Sequence, residues 1–171
     1  NHLGRTLAFW ERVAPLMRRH FPEAMEGLAP EDLWRCASAV RPSLIRVEAD
    51  EVTYNLHIII RFELELELLE GRLAVKDLPE AWRARYQQDL GVCAADDRDG
   101  VLQDMHWFAG LVGGAFQGYT IGNILSAQFY AEALQAEPEI PADIAHGDFA
   151  RLHAWMKAHV YRPGSKYLAP G

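Results

Sequence analysis

The sequence predicts a mainly α, multi-helix fold, and three observations predict it. Apolar residues recur at helical spacing, Pro and Gly punctuate the segments between them, and the one alternating stretch is built of strong helix formers. Residues 3–20 come first, with Leu7, Trp10, Val13, Leu16 and Met17 on one face and Pro22 as the stop. A short helix is expected from Pro30 to Ala39, because Ala29-Pro30-Glu31-Asp32 is an acidic, proline-led start. From Pro42 the pattern stays helical to about Leu69, with Gly71 as its C-cap. Within it Phe62-Glu63-Leu64-Glu65-Leu66-Glu67-Leu68 alternates strictly, which is a strand pattern. Helix is still predicted, since Leu and Glu favour it and no turn precedes the run.

Leu78-Pro79-Glu80 starts the next helix, through Tyr86 to about Leu90. A polar loop follows over 91–100, then a helix or turn around Gln103–Trp107 and a glycine cluster over 110–114. Thr120 to Leu134 reads as a helix, and a last one runs from about Asp148 to Val160. Without repeats or linkers, residues 1–171 are expected to form a single helical unit.

Composition narrows the function. The 171 residues are half hydrophobic, ordinary for a globular domain with a real core. Seventeen basic against 24 acidic residues give a net charge of −7, which argues against nucleic-acid binding. No apolar run approaches the roughly 18 residues of a membrane span, so no membrane partner is expected. Cys36 and Cys93 form no framework, no signal-peptide pattern is present, and a cytoplasmic setting follows. The chain starts at Asn1 and closes on a loop-like tail over 165–171, so both ends read as cuts in a longer protein, although processing could also remove an initiator Met.

A polar stripe marks the long helix. At about 100° per residue with Arg46 at zero, Asp50, Tyr54, His57 and Arg61 fall near ~40°, ~80°, ~20° and ~60°. Arg46 and Asp50, as i,i+4 neighbours, are expected to pair. A buried salt-bridge network orienting the helix would produce this pattern. So would an Arg held by a carboxylate as a fork for an anion, above all a substrate carboxylate.

The second cluster is Gly100-Val101-Leu102-Gln103-Asp104-Met105-His106-Trp107. An Asp beside a His can fix its tautomer and raise its basicity, and a neighbouring Trp can dry the site. A structural His with one satisfied hydrogen bond is the plainer reading. The glycines from Gly113 to Gly122 permit close backbone approach, and Tyr119 among them offers a phenol donor. No P-loop, HExxH, CxxC or G-x-S-x-G pattern occurs, so neither a complete zinc site nor a serine nucleophile is expected.

Two stretches resemble motifs of the carboxypeptidase Taq family of metallocarboxypeptidases. Ile45-Arg46-Val47-Glu48-Ala49-Asp50 is similar to its I/V-R-x-x-A-D region, and Gly100 to Trp107 to its G-x-x-Q-D-x-H-W motif. Asn1-His2-Leu3-Gly4-Arg5 resembles the text following its H-E-S-Q motif, and Gly118-Tyr119-Thr120-Ile121-Gly122-Asn123 its tyrosine-containing turn. Many relatives carry aromatic-Pro-Thr-Tyr where this chain has Phe116-Gln117-Gly118-Tyr119, so the pocket beside the tyrosine is expected to differ.

The resemblance implies a helical, zincin-like, cleft-containing enzyme, usually a homodimer, that releases single residues from peptide C-termini with zinc or cobalt. It implies that Arg46 binds the substrate carboxylate and that His106 and Tyr119 hydrogen-bond the substrate or the tetrahedral intermediate, with catalytic roles. Asp50, Gln103 and Asp104 would support them from behind. The HExxH and H-E-S-Q ligands would lie upstream of Asn1, so this chain alone is expected to hold no metal and to lack hydrolytic activity. Its expected partners are a peptide C-terminus, the upstream N-terminal half and a second copy. The alternative is a non-catalytic helical binding module that kept the scaffold.

Overall fold

The computed structural model describes residues 2–107, 113 and 115–166. Seven α-helices account for most of them: α1 Leu7–His20, α2 Pro30–Ala37, α3 Tyr54–Leu69, α4 Leu78–Leu90, α5 Gln117–Ala136, α6 Ile140–His146 and α7 Ala150–Met156. Short 3-10 turns occupy Arg46–Glu48, Val75–Asp77, Val101–Gln103 and Met105–Trp107, and α7 widens into a π turn over Lys157–Tyr161. No strand occurs among the described residues, so the mainly α expectation holds. None of these helices is long and apolar enough to cross a membrane.

The contacts gather in two compact units, one formed by the described parts of Asn1–Ala37 and Leu125–Gly171, the other by Ser38–Ile124. In the first, α1 packs on α2 and α6, and α6 on α7. Ala133, Ile140 and Ile144 form its core with Leu3, Tyr130, Leu134, Leu152 and Trp155 against them. The Thr6 hydroxyl caps α1 by accepting the Phe9 N–H at 3.3 Å. One expectation fails on this helix. Its buried centre is Ala14, and Leu16 is 56% exposed. Two residues further on, Leu16 sits about 200° round the axis from Ala14.

In the second unit α3 packs on α4. Ile60 and Leu64 face Leu78, Trp82, Tyr86, Leu90 and Val101, and burial of each aliphatic side chain contributes about 1.5–3 kcal/mol. The Leu/Glu alternation resolves as helix, as expected. Leu64 is buried and Leu66 exposed, so the core follows the helical period instead of alternation. The helix ends in a Schellman motif. Gly71, at φ 71°, donates to the Leu68 carbonyl (3.2 Å) and Arg72 to that of Glu67 (2.9 Å).

The long helix expected from Pro42 is a correction. Helix α3 begins only at Tyr54, and Ile45 and Ala49 on either side of the Arg46–Glu48 turn are extended. Asp50 is the reason. Its carboxylate accepts the N–H groups of Val52 and Thr53 (2.9 Å each) and the Thr53 hydroxyl (2.8 Å). It also takes the Arg41 N–H at 3.0 Å. A short acidic side chain bonded to the backbone two and three residues on competes with the helical ladder and starts the helix afresh.

Helix α6 lies outside every segment expected to be helical. The helix expected over Thr120–Leu134 is longer at both ends, and of the glycine cluster only Gly113 falls among the described residues.

Candidate active site

The second unit brings Arg46, Gln103, Asp104, His106 and Tyr119 together. Asp104 is its centre. One carboxylate oxygen, Oδ2, accepts Arg46 Nε and Arg61 Nε, both at 2.8 Å. The other, Oδ1, accepts the His106 backbone N–H at 3.2 Å and pairs with His106 Nδ1. Burial alone would raise this carboxyl. The hydrogen bonds from His106 and the charges of Arg61 and Arg46 outweigh it and hold Asp104 at about 2. An ionised carboxylate only accepts, so His106 Nδ1 carries the proton. His106 Nε2 then faces the Tyr119 hydroxyl at 2.7 Å.

Local geometry aims these groups. A Cβ on Gly100 would fall 2.9 Å from the Asp96 carbonyl and 3.3 Å from Ala94 Cβ, so the loop closes this tightly only on glycine. That closure sets up the two 3-10 turns that carry Gln103 and His106, with Asp104 extended between them. Gln103 ties the turn to its neighbours. Its amide N–H donates to the Leu44 and Asp99 carbonyls (3.1 and 2.8 Å), and its oxygen accepts the Arg46 backbone N–H (3.1 Å) and Arg61 Nη2 (3.0 Å). Trp107 packs inward, against Trp82 and Phe116.

Arg46 is mostly enclosed, with its side chain 11% exposed. Nη1 donates to the Tyr54 hydroxyl at 3.0 Å, and Nη2 has no partner among the described residues. The guanidinium carbon sits 5.3 Å from the Tyr119 ring centre. Tyr119, His106, Ala115 and Gly118 line an open pocket of about 360 Å³. Burial opposes the charge on Arg46, but Asp104 and Tyr54 more than compensate and raise its pKa.

The expected Arg46–Asp50 pair is corrected here. Asp50 bonds the loop backbone, and the partner of Arg46 is Asp104, far along the chain. Arg61, Tyr54 and His57 stand out in the sequence as a polar stripe, whereas Tyr86 gives no polar signal. Fully buried, Tyr86 accepts Arg61 Nη1 at 2.9 Å and meets His57 Nδ1 at 2.9 Å. Burial first, then the charges of Arg61 and Arg46, push His57 down to about 4, so it is neutral at ordinary pH.

Among the described residues no three His, Cys, Asp or Glu side chains group to hold a metal ion. Cys36 and Cys93 are free and exposed.

Known proteins contain a similar chain. It is 46% identical to thermostable carboxypeptidase 1 of Thermus thermophilus over 167 residues, which is 98% of this chain and 32% of that protein. It is 36% identical to carboxypeptidase 1 of Bacillus subtilis over 170 residues, 98% of this chain and 34% of that one. The crystal structure of an M32 carboxypeptidase from Deinococcus radiodurans superposes with a TM-score of 0.90 at 54% identity, over 98% of this chain and 34% of that structure. The chain thus spans about a third of the length of the relatives it matches. The pattern of the carboxypeptidase Taq (M32) metallopeptidases matches residues 1–170, and the chain belongs to that family.

Proposed function

We propose that this chain is the part of a metal-dependent carboxypeptidase that seats the C-terminal end of a peptide. One observation carries the reading: a guanidinium fixed from behind by a buried carboxylate, with one nitrogen unengaged among the described residues, lies over a tyrosine that lines an open pocket. A fork held this way is preorganised for a second carboxylate, because its orientation is settled before the ligand arrives. His106 and Tyr119 stand beside it as hydrogen-bonding groups for the scissile carbonyl or the oxyanion that forms from it.

The divalent ion, zinc or cobalt by the resemblance, would polarise that carbonyl and activate a water. The described residues offer no donor set that fits it. Its ligands belong, in this reading, to the remaining two thirds of such an enzyme, and the chain alone is expected to be inactive.

The test measures amino-acid release from an N-blocked dipeptide with added cobalt or zinc. It compares this chain with one extended upstream through an HExxH segment. Release by the extended protein only is expected. Release by the chain alone would overturn the division of labour, and no release by either would favour a binding module that kept the scaffold.

A further inference from the structure

Arg61 is the residue that the site does not need for contact and yet surrounds completely. Its side chain is 0% exposed. Nε goes to Asp104, Nη1 to the His57 carbonyl and the Tyr86 hydroxyl, and Nη2 to Gln103. The Trp82 ring covers it at 4.6 Å. No ligand in the pocket can reach it.

The charge count around Asp104 gives Arg61 a purpose. A lone Arg–Asp pair is neutral, and an arginine whose charge is already cancelled attracts a second carboxylate weakly. Here two guanidinium groups share one carboxylate oxygen, so the trio carries one surplus positive charge. The other groups bonded to Arg61, namely Gln103, Tyr86 and the His57 carbonyl, are uncharged. Low-dielectric surroundings screen that surplus little. Only Arg46 is partly open, so the surplus is expressed there.

We propose that buried Arg61 is a specificity-determining positioning residue, which engages Asp104 so that Arg46 keeps an uncancelled charge for a ligand carboxylate. It also anchors Arg46 through Gln103, whose oxygen accepts from both the Arg46 backbone and Arg61. This inference rests on the reading of Arg46 as the carboxylate seat. The experiment separates the two.

The chain is titrated by NMR with N-acetyl-leucine and, separately, N-acetyl-leucinamide. Wild type is expected to prefer the acid, and Arg46→Met to erase the preference. If Arg46→Met leaves it intact, the seat is elsewhere and both readings fall. With the seat confirmed, Arg61→Met should weaken acid binding about tenfold, the worth of one charge-assisted contact, and leave amide binding unchanged. Arg61→Lys, which keeps the charge and loses the fork, should recover most of the acid affinity.

A double Arg61→Met/Asp104→Asn variant leaves Arg46 charged without its counter-ion, and it replaces a buried pair instead of breaking one. The amide at 104 can still accept Arg46 Nε but holds it less firmly, so the preference for the acid over the amide should survive at reduced affinity, which keeps the test usable if Arg61→Met fails to fold. Equal loss of acid and amide binding in a folded Arg61→Met, or no preference for the acid in the folded double variant, would reduce Arg61 to a structural role and overturn the proposal.

Discussion

Two arginines, one in each unit, are gripped by several acceptors, and they differ in nearly everything that follows. Arg61 on α3 is sealed from water and bonds Asp104, Gln103, Tyr86 and the His57 carbonyl. Arg151 on α7 bonds Asp143 at 2.7 Å and Glu137 at 3.0 Å, with its side chain 43% exposed. On a diagram the two clusters look alike. Around Arg61 no water can replace a lost partner, so each member depends on the others. Around Arg151 water is always available, and the pairs are optional. The difference shows where this molecule can carry function: a group fixed by a buried network can be aimed, and a surface pair cannot.

The sharpest way to break the comparison is Asp104→Asn. It leaves Arg46 and Arg61 charged, close and mostly buried, and should cost about 3–5 kcal/mol in urea unfolding. A cost no larger than that of a surface carboxylate would mean that the network is far wetter than its enclosure implies. Next in size is the pH dependence of stability.

His57, buried beside Arg61, sits at about 4 when folded against 6.5 unfolded. Between those values the unfolded chain holds the extra proton, so stability is complete above pH 6.5 and falls as pH drops towards 4. The loss is up to about 3 kcal/mol for a shift of this size. A His57→Phe variant should show a flatter profile across that window, and a profile parallel to wild type would contradict the burial of a neutral imidazole. Asp104 and Asp50, both held at about 2 against 3.8, act lower: their contribution is present above pH 4 and disappears between 4 and 2.

How much of this was legible in the sequence depended on distance along the chain. Gln103, Asp104 and His106 lie within four residues, on two tight turns and the extended residue between them, so their convergence follows from local geometry and is readable. Tyr119, thirteen residues further on, stands against His106 in the structure. A single helical wheel carried across Asp50 gives Arg46 the wrong partner, although Asp50 followed by Thr53 is itself a helix-start signal. Read as a stop and restart, that pair would have freed Arg46 for a distant partner. Tyr86 had no such signal. It resembles any core aromatic next to Trp82, and its hydroxyl matters only because α3 packs on α4 and delivers Arg61 to it. Helix α6 was missed although Pro141 near its start and Gly147 at its end, φ 78°, are ordinary punctuation.

The smallest expected effect sharpens the comparison from the other side. Arg151→Gln removes both pairs of the exposed cluster together. The two carboxylates hold the guanidinium pKa up, Asp143 through its hydrogen bond most of all, but solvent reaches every member. Water takes over the freed Asp143 and Glu137 oxygens, and neither is left buried and unpaired. The urea midpoint should therefore barely move at low salt, and any difference should vanish as added salt screens the pair. The same salt series on Asp104→Asn should leave most of its loss in place, because Arg61 and the side chain at 104 are sealed from solvent and only Arg46 is partly open. If Arg151→Gln proved as costly as Asp104→Asn, exposure would not be what separates the two clusters. Helix α7, with no fully buried residue of its own, would then depend on a surface pair for its place on α6.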